Sequence, residues 1–394
     1  MESECSRGET SRLENLAWLV VPSLMAVAVL YLPVLLIQGP ILRQDAVNAT
    51  LPWWTFTRQE LLAGRLPLWD PARLGGIPHM ANIQAGVLYP PNWLFLPLPP
   101  EWAVYLSVVA HIALGGCLMA WFARSLEISP AYAGLAGLVF ALSAQVSARV
   151  FAGHVQILQP LAWSPLLLLA ARQLGATGAR RAAGQLAGAT ALSLLAGYPA
   201  VTVYSLGAAG VLFLAGLLQS ERRLRATRLL VMAALLTGLM VAPAVWPLLE
   251  LAGETTRSGT LPMEQAARAP LRPLHAPMLV WPWFFGAAPV QNNWPSPQVW
   301  FWHEAQGVGG LMVTLLALAG LWARRRERGF QALGLLALGS VLLALGTRTP
   351  AYTLLHELVA PLRSFRIPAR FLLVWSLVIP PLAAAGAQTL LERP

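Results

Sequence analysis

Ten long apolar stretches, most of them matching the thickness of a lipid bilayer, constrain this chain more than any other feature. A helix crossing the hydrocarbon layer needs roughly 17–25 mostly apolar residues. The segments that meet or approach this are 16–37, 102–123, 131–148, 155–171, 183–197, 200–218, 229–250, 307–323, 330–346 and 371–390. Charged residues make up 11% of the 394-residue chain, against about 25% in an ordinary soluble domain. The deficit runs along nearly the whole sequence, so one large soluble core does not account for it and a lipid solvent does. The first run is too long for a secretory signal and lacks a small-residue cleavage pattern, so it reads as a retained span. The expected fold class is an all-α membrane protein of about ten transmembrane helices. Residues 1–15 form a cytoplasmic tail, 16–390 the transmembrane domain and 391–394 a cytoplasmic end.

The formal charge is +10, and all 27 basic residues are arginine. In a soluble protein such basicity would point to nucleic acid. Here the arginines are split between the two sides of a membrane and act as topology determinants, so no nucleic-acid partner is expected. Short, arginine-dense connections such as Arg222–Arg223–Leu224–Arg225 and Arg324–Arg325–Arg326 belong on the cytoplasmic side. That places both termini inside and leaves three long outer segments, 38–101, 251–306 and 347–370. These are rich in Trp and Pro, including Trp53, Trp54, Trp69, Trp93, Trp281, Trp283, Trp294, Trp300 and Trp302, which suits packing at the membrane interface. Stretch 53–64 has helical apolar spacing and a Gly stop, and reads as an amphipathic interfacial helix. Gly197-Tyr198-Pro199 reads either as a tight turn between two spans or as a break in a bent hairpin. Gln145, Gln156, Gln159 and Gln185 are the main polar interruptions of the spans. Cys5 and Cys117 are not expected to meet, so neither a disulfide nor a metal site is anticipated.

Candidate chemistry lies in the outer segments. Asp45 follows the first span by fewer than ten residues, at a depth where an ionisable group is a functional candidate. It suits a general base toward a hydroxyl; the plain alternative is an ion pair with Arg43 or Arg58. Asp70, before Pro71, suits a turn or cap, with substrate binding as the other reading. His79, Asn82 and Gln84 are polar residues in an apolar loop, fit either to bind a sugar or to satisfy buried backbone. His303 and Glu304 stand at the entry to the eighth span, at the membrane level of Asp45, and suit either substrate binding or an interfacial helix cap. Arg366 and Arg370, at the mouth of the last, suit phosphate binding or lipid headgroup anchoring. Arg149 and His154, between the third and fourth spans, are candidates of the same kind. There is no Walker loop, no zinc-spaced Cys or His set and no nucleophile elbow, and no cofactor is called for.

The order Gln44-Asp45, Gly64-Arg65-Leu66-Pro67-Leu68-Trp69-Asp70-Pro71, Gly75-Gly76-Ile77-Pro78, Ala81-Asn82, Gln84, Gly86 and Leu88-Tyr89-Pro90-Pro91 resembles the YfhO family of bacterial membrane proteins. Phe365-Arg366-Ile367-Pro368-Ala369-Arg370-Phe371 and Glu304 with Gly307 support the likeness. Its specific motifs are confined to 44–91, 304–310 and 363–371. The resemblance implies a GT-C-like fold and a glycosyltransferase of the bacterial cytoplasmic (inner) membrane. Such an enzyme takes its sugar from a polyprenyl-phosphate donor and gives it to an extracytoplasmic glycan, lipid or protein acceptor, with inversion. On this likeness Asp45 matches the catalytic acidic residue of the first outer loop. Arg366 and Arg370 match donor-phosphate ligands, Arg149 being a lipid-phosphate candidate by position alone, and no metal is implied. Typical family members carry more spans and a C-terminal outer region, so this chain reads as a fragment or a reduced variant. The competing classes are a lipid or small-molecule transporter or flippase, which would place polar residues at mid-membrane, and a non-catalytic envelope scaffold.

Overall fold

A computed structural model describes residues 2–255, 261–286 and 302–392. Trp294, Trp300 and Arg393 lie outside the described residues. The described chain is helical, with no strand among the described residues beyond a single bridge between Asp70 and Ile77.

The main helices are α1 (Glu2–Gln38), α2 (Leu51–Leu62), α3 (Pro100–Ser125), α4 (Pro130–Ala141), α5 (Ala144–Ala152), α6 (Val155–Thr177), α7 (Arg180–Leu195), α8 (Pro199–Leu217), α9 (Arg223–Gly253), α10 (Gly310–Ala323), α11 (Arg328–Ala344), α12 (Pro350–Leu358) and α13 (Leu372–Leu391). Every apolar stretch singled out in the sequence is helical over most of its length. Among the described residues, six helical segments are long and apolar enough to cross a membrane: Leu13–Gln38, Pro100–Ser125, Pro130–Ala152, Pro199–Leu217, Arg223–Gly253 and Pro368–Leu391. This fits an all-α membrane protein. Helix α6 is long but diluted by Gln156, Gln159, Pro160 and Pro165, while α10 and α11 are apolar but shorter.

The expected third span is two helices. Ser143 breaks it and caps α5, its hydroxyl accepting from Val146 N–H at 3.3 Å. Gly197-Tyr198-Pro199 is a tight turn between α7 and α8, with Pro199 at the first helical position, where its missing N–H costs nothing. The 53–64 helix begins two residues early as α2 and stops at Gly64, in the left-handed region at φ +73°.

Helices α6 and α13 form the centre, with Leu167, Leu168, Leu174, Leu372, Val378 and Ala384 fully buried. Helices α1, α9 and α10 turn large apolar side chains outward, among them Met25, Val29, Met232, Leu239, Met312 and Trp322. An apolar belt of this kind suits lipid rather than water. Small residues set the closest helix pairs. Gly320 of α10 lies against the Leu382 carbonyl of α13, and Gly386 lies against Leu316, as expected where packing rather than hydrophobicity drives association.

The glutamines that interrupt the spans anchor loops. Gln156 donates to Thr50 Oγ1 at 2.6 Å, and Gln159 donates to Asn92 Oδ1 at 2.8 Å and Ser107 Oγ at 2.9 Å. Tyr89 is wholly buried and bonds His111 at 2.6 Å while accepting from Trp163 at 2.6 Å. These contacts pin the 38–101 segment onto α3 and α6, so it is a packed layer rather than a solvated loop. Segments 261–271 and 344–367 join the same end, through Leu261 N–H to the Arg363 carbonyl at 2.9 Å and Leu271 N–H to the Ala344 carbonyl at 2.7 Å.

Candidate active site

A polar cavity of about 330 Å³ opens at this end of the bundle. Asp45, Gln84, His154, Tyr198, Arg366 and Arg370 line it. They come from four distant parts of the chain.

Two glycines bring the walls together. Gly153 sits at φ +72°, and a Cβ there would strike the Arg43 carbonyl and lie 3.0 Å from Asp45 N. Only glycine lets the Asp45 loop reach the start of α6. Gly197 sits at φ +103°, where a Cβ would meet the Ile83 carbonyl at 2.6 Å, and this contact brings Gln84 against Tyr198. On the opposite wall Ile367 is held at φ +72°, an outlier for a β-branched residue that costs about 1–3 kcal/mol. Its side chain is buried and its N–H donates to the Ala266 carbonyl at 3.2 Å. The strained bend sits between Arg366 and Arg370, and both face the cavity.

Beneath the cavity lies a buried charge cluster. Glu304 is wholly buried and accepts from Arg370 Nε at 2.8 Å and from Arg149 Nη2. Arg370 Nη1 also donates to the Tyr198 hydroxyl, and its guanidinium lies 5.4 Å from the Tyr198 ring centre. Burial opposes ionisation of Glu304, yet Arg149 and Arg370 outweigh it and hold the carboxyl well below the usual range. The segment is fixed by Gln145, which donates to the Gln306 carbonyl at 2.7 Å, and by Ala144 N–H to the Val308 carbonyl at 2.9 Å.

His154 links the cluster to the cavity. Its Nδ1 lies 3.3 Å from Arg149 Nη1 and its Nε2 lies 3.4 Å from Asp45 Oδ2. His303 packs edge-on against it, with ring centres 4.7 Å apart. Burial pushes the His154 pKa down to about 3, aided by Arg149, and that of His303 down to about 4. Both rings are therefore neutral near pH 7. Asp45 itself is largely exposed at the cavity edge, its side chain 63% accessible.

No protein-family model and no curated protein matches this chain. The site is therefore read from its own geometry.

Of the expected ligands, Asp45, Gln84, Arg366 and Arg370 converge on the cavity. The others do not reach it. Arg149 is wholly buried, with its guanidinium engaged by Glu304, so it stands behind the cavity instead of lining it as a phosphate ligand would. Glu304 is the counter-ion of two arginines rather than a sugar ligand, and His303 packs behind His154 instead of lining the cavity. Asp70 is buried and caps its own turn, Oδ1 accepting from Ala72 N–H at 3.0 Å. His79 is buried and bonds Thr57 Oγ1 at 2.9 Å. Asn82 accepts from Gln84 N–H at 3.3 Å. These three fold the loop that carries Gln84. Tyr198 also lines the cavity; its Gly-Tyr-Pro setting speaks for a turn or a helix break, and the one signal for a site is an aromatic hydroxyl at the end of the bundle that carries the 38–101 segment. Among the described residues no group of three or more His, Cys, Asp or Glu side chains could hold a metal ion.

Proposed function

We propose that this chain is a ten-span, GT-C-like glycosyltransferase of the bacterial inner membrane with both termini cytoplasmic. It moves a sugar from a polyprenyl-phosphate donor to an extracytoplasmic acceptor. The observation that carries this reading is the meeting of one exposed carboxylate, Asp45, with two arginines, Arg366 and Arg370, in one polar cavity. A cationic site for the leaving phosphate and a deprotonating group for the acceptor are what phosphate-leaving sugar transfer requires.

A second feature supports a lipid-borne donor. An apolar cavity of about 330 Å³ lies between α8, α11, α12 and α13, lined by residues including Val203, Tyr204, Leu336, Leu355 and Phe371. Tyr204 packs against Phe371 at 4.5 Å and Phe365 at 6.0 Å between ring centres, and Phe365 lines the polar cavity. A phosphate in one cavity would leave its hydrocarbon tail beside the other.

In the proposed reaction Arg366, Arg370 and the Tyr198 hydroxyl hold the donor phosphate. Asp45 takes the proton of the acceptor hydroxyl as that oxygen bonds the anomeric carbon. The bond from that carbon to the phosphate oxygen breaks on the opposite face, its electron pair leaving with the polyprenyl phosphate. The product has inverted configuration. Cationic donors aimed at the leaving phosphate stabilise the charge that develops there.

The test is purified protein in lipid nanodiscs with a panel of radiolabelled polyprenyl-phosphate hexoses, following release of sugar to water or to added glycan. Wild type is expected to consume at least one donor, and Asp45→Asn to lose at least about 100-fold in rate. Equal turnover by Asp45→Asn removes the assignment.

A further inference from the structure

A general base works only when its carboxylate is held toward the incoming hydroxyl, and Asp45 is exposed at the end of a loop. His154 is the side chain placed to hold it. Its two ring nitrogens have roles fixed by their neighbours. A guanidinium only donates, so Arg149 Nη1, at 3.3 Å, requires a lone pair on Nδ1. The ring proton then sits on Nε2, which faces Asp45 Oδ2 at 3.4 Å. Adding a second proton at Nδ1 would set N–H against N–H. The charged and titratable groups around the ring are Arg149 from α5, His303 and Glu304 from the turn at 302–304, Arg370 from the start of α13, and Asp45 from the first loop. The anion behind it, Glu304, is already shared by two arginines. Burial and these guanidiniums keep the imidazole neutral.

We propose that His154 is a positioning residue for Asp45: a neutral imidazole whose Nε2–H steadies the carboxylate, in a tautomer dictated by Arg149 and, behind it, by Glu304. This role rests on Asp45 being the base of sugar transfer. It excludes His154 as the base, because its lone pair is turned to Arg149. The acceptor proton ends on Asp45, and His154 keeps the same proton throughout.

The primary test needs no turnover. The protein is labelled with ¹⁵N-histidine, and the His154 signals, one set among six histidines, are assigned by their loss in His154→Gln. The expected spectrum shows a neutral ring with Nε2 protonated and Nδ1 unprotonated from pH 7.5 down to 5. An Nδ1–H tautomer, or a protonated ring at pH 5.5, overturns the arrangement and leaves sugar transfer untouched. Turnover then separates positioning from packing. His154→Asn is expected to lose about tenfold in kcat as the Nε2–H contact that orients Asp45 is lost. His154→Gln, whose amide N–H falls near the Nε2 position, should recover most of that loss. Equal loss in both variants overturns the positioning role. Absence of any donor turnover in wild type overturns instead the sugar-transfer reading on which the role depends.

Discussion

Replacing Glu304 with glutamine is expected to cost more stability than any substitution of an exposed charge in this chain. The carboxylate is wholly buried, Arg149 is equally buried, and the Arg370 side chain is 13% accessible. Glutamine keeps the shape but leaves two guanidinium groups confined together with no counter-ion. Each hydrogen bond to a charged group contributes about 1.5–3 kcal/mol, and breaking a buried ion pair from one side costs about 3–5 kcal/mol. The expected loss for Glu304→Gln is therefore about 3–5 kcal/mol, measured by reversible unfolding in mixed micelles with tryptophan fluorescence. Glu60→Gln, which removes the exposed pair with Arg65 (2.7 Å, the arginine 63% accessible), is the control and should leave stability unchanged. Adding Arg149→Met to Glu304→Gln should restore part of the loss, since one of the stranded cations is then gone. A loss below about 1 kcal/mol for Glu304→Gln would show that water or lipid headgroups reach the cluster, and the buried-triad account would fail.

Acidification should weaken the fold through its buried histidines. The pKa values of His154 and His303 are lowered to about 3 and about 4 when folded, against about 6.5 when unfolded. The unfolded chain therefore binds more protons below pH 6.5, and stability falls as pH drops from there toward 4, by up to about 1.4 kcal/mol per unit for each ring. Glu304, held low when folded, adds its own loss only below about pH 4.3. Unfolding followed from pH 7 to 4 should show this decline, and a shallower one in His154→Gln; a flat profile would contradict the neutral histidines. Gly153→Ala is expected to cost at least about 1–3 kcal/mol and to displace Asp45, because the new methyl collides with the Arg43 backbone. Wild-type unfolding together with wild-type donor turnover in that variant would show that the close approach does not set Asp45.

The helices were legible in the sequence because each is a long apolar run, and the interfacial stretch because its spacing was helical and ended at Gly64. The break at Leu142–Ser143 was not, since Ser143 looks like any small polar residue until its hydroxyl is seen capping α5. Asp45, Arg366 and Arg370 stand out as ionisable residues beside span ends, where charge is costly, and Gln84 as a polar residue in an apolar loop; all four line the cavity. The same rule also picks out Arg149 and Glu304, which pair with each other. Sequence marks a charge as unusual but does not say whether its partner is a substrate or another side chain 155 residues away. Asp70 caps its own turn, as its place before Pro71 suggests, and His79 bonds Thr57 inside the loop: a Gly- and Pro-rich loop that packs as a layer needs internal partners, and those look like ligands.

The Arg149–Glu304–Arg370 cluster also bears on how the chain is assembled. Arg149 enters the bilayer with the early helices, its counter-ion follows 155 residues later, and the second arginine another 66 residues on, at the threshold of α13. Until that helix is in place the wall bearing Arg366 and Arg370 is missing. The last helix to be made thus acts as the latch on the whole pocket: without the segment that leads into it, the polar cavity lacks one wall and Glu304 lacks one of its two arginines.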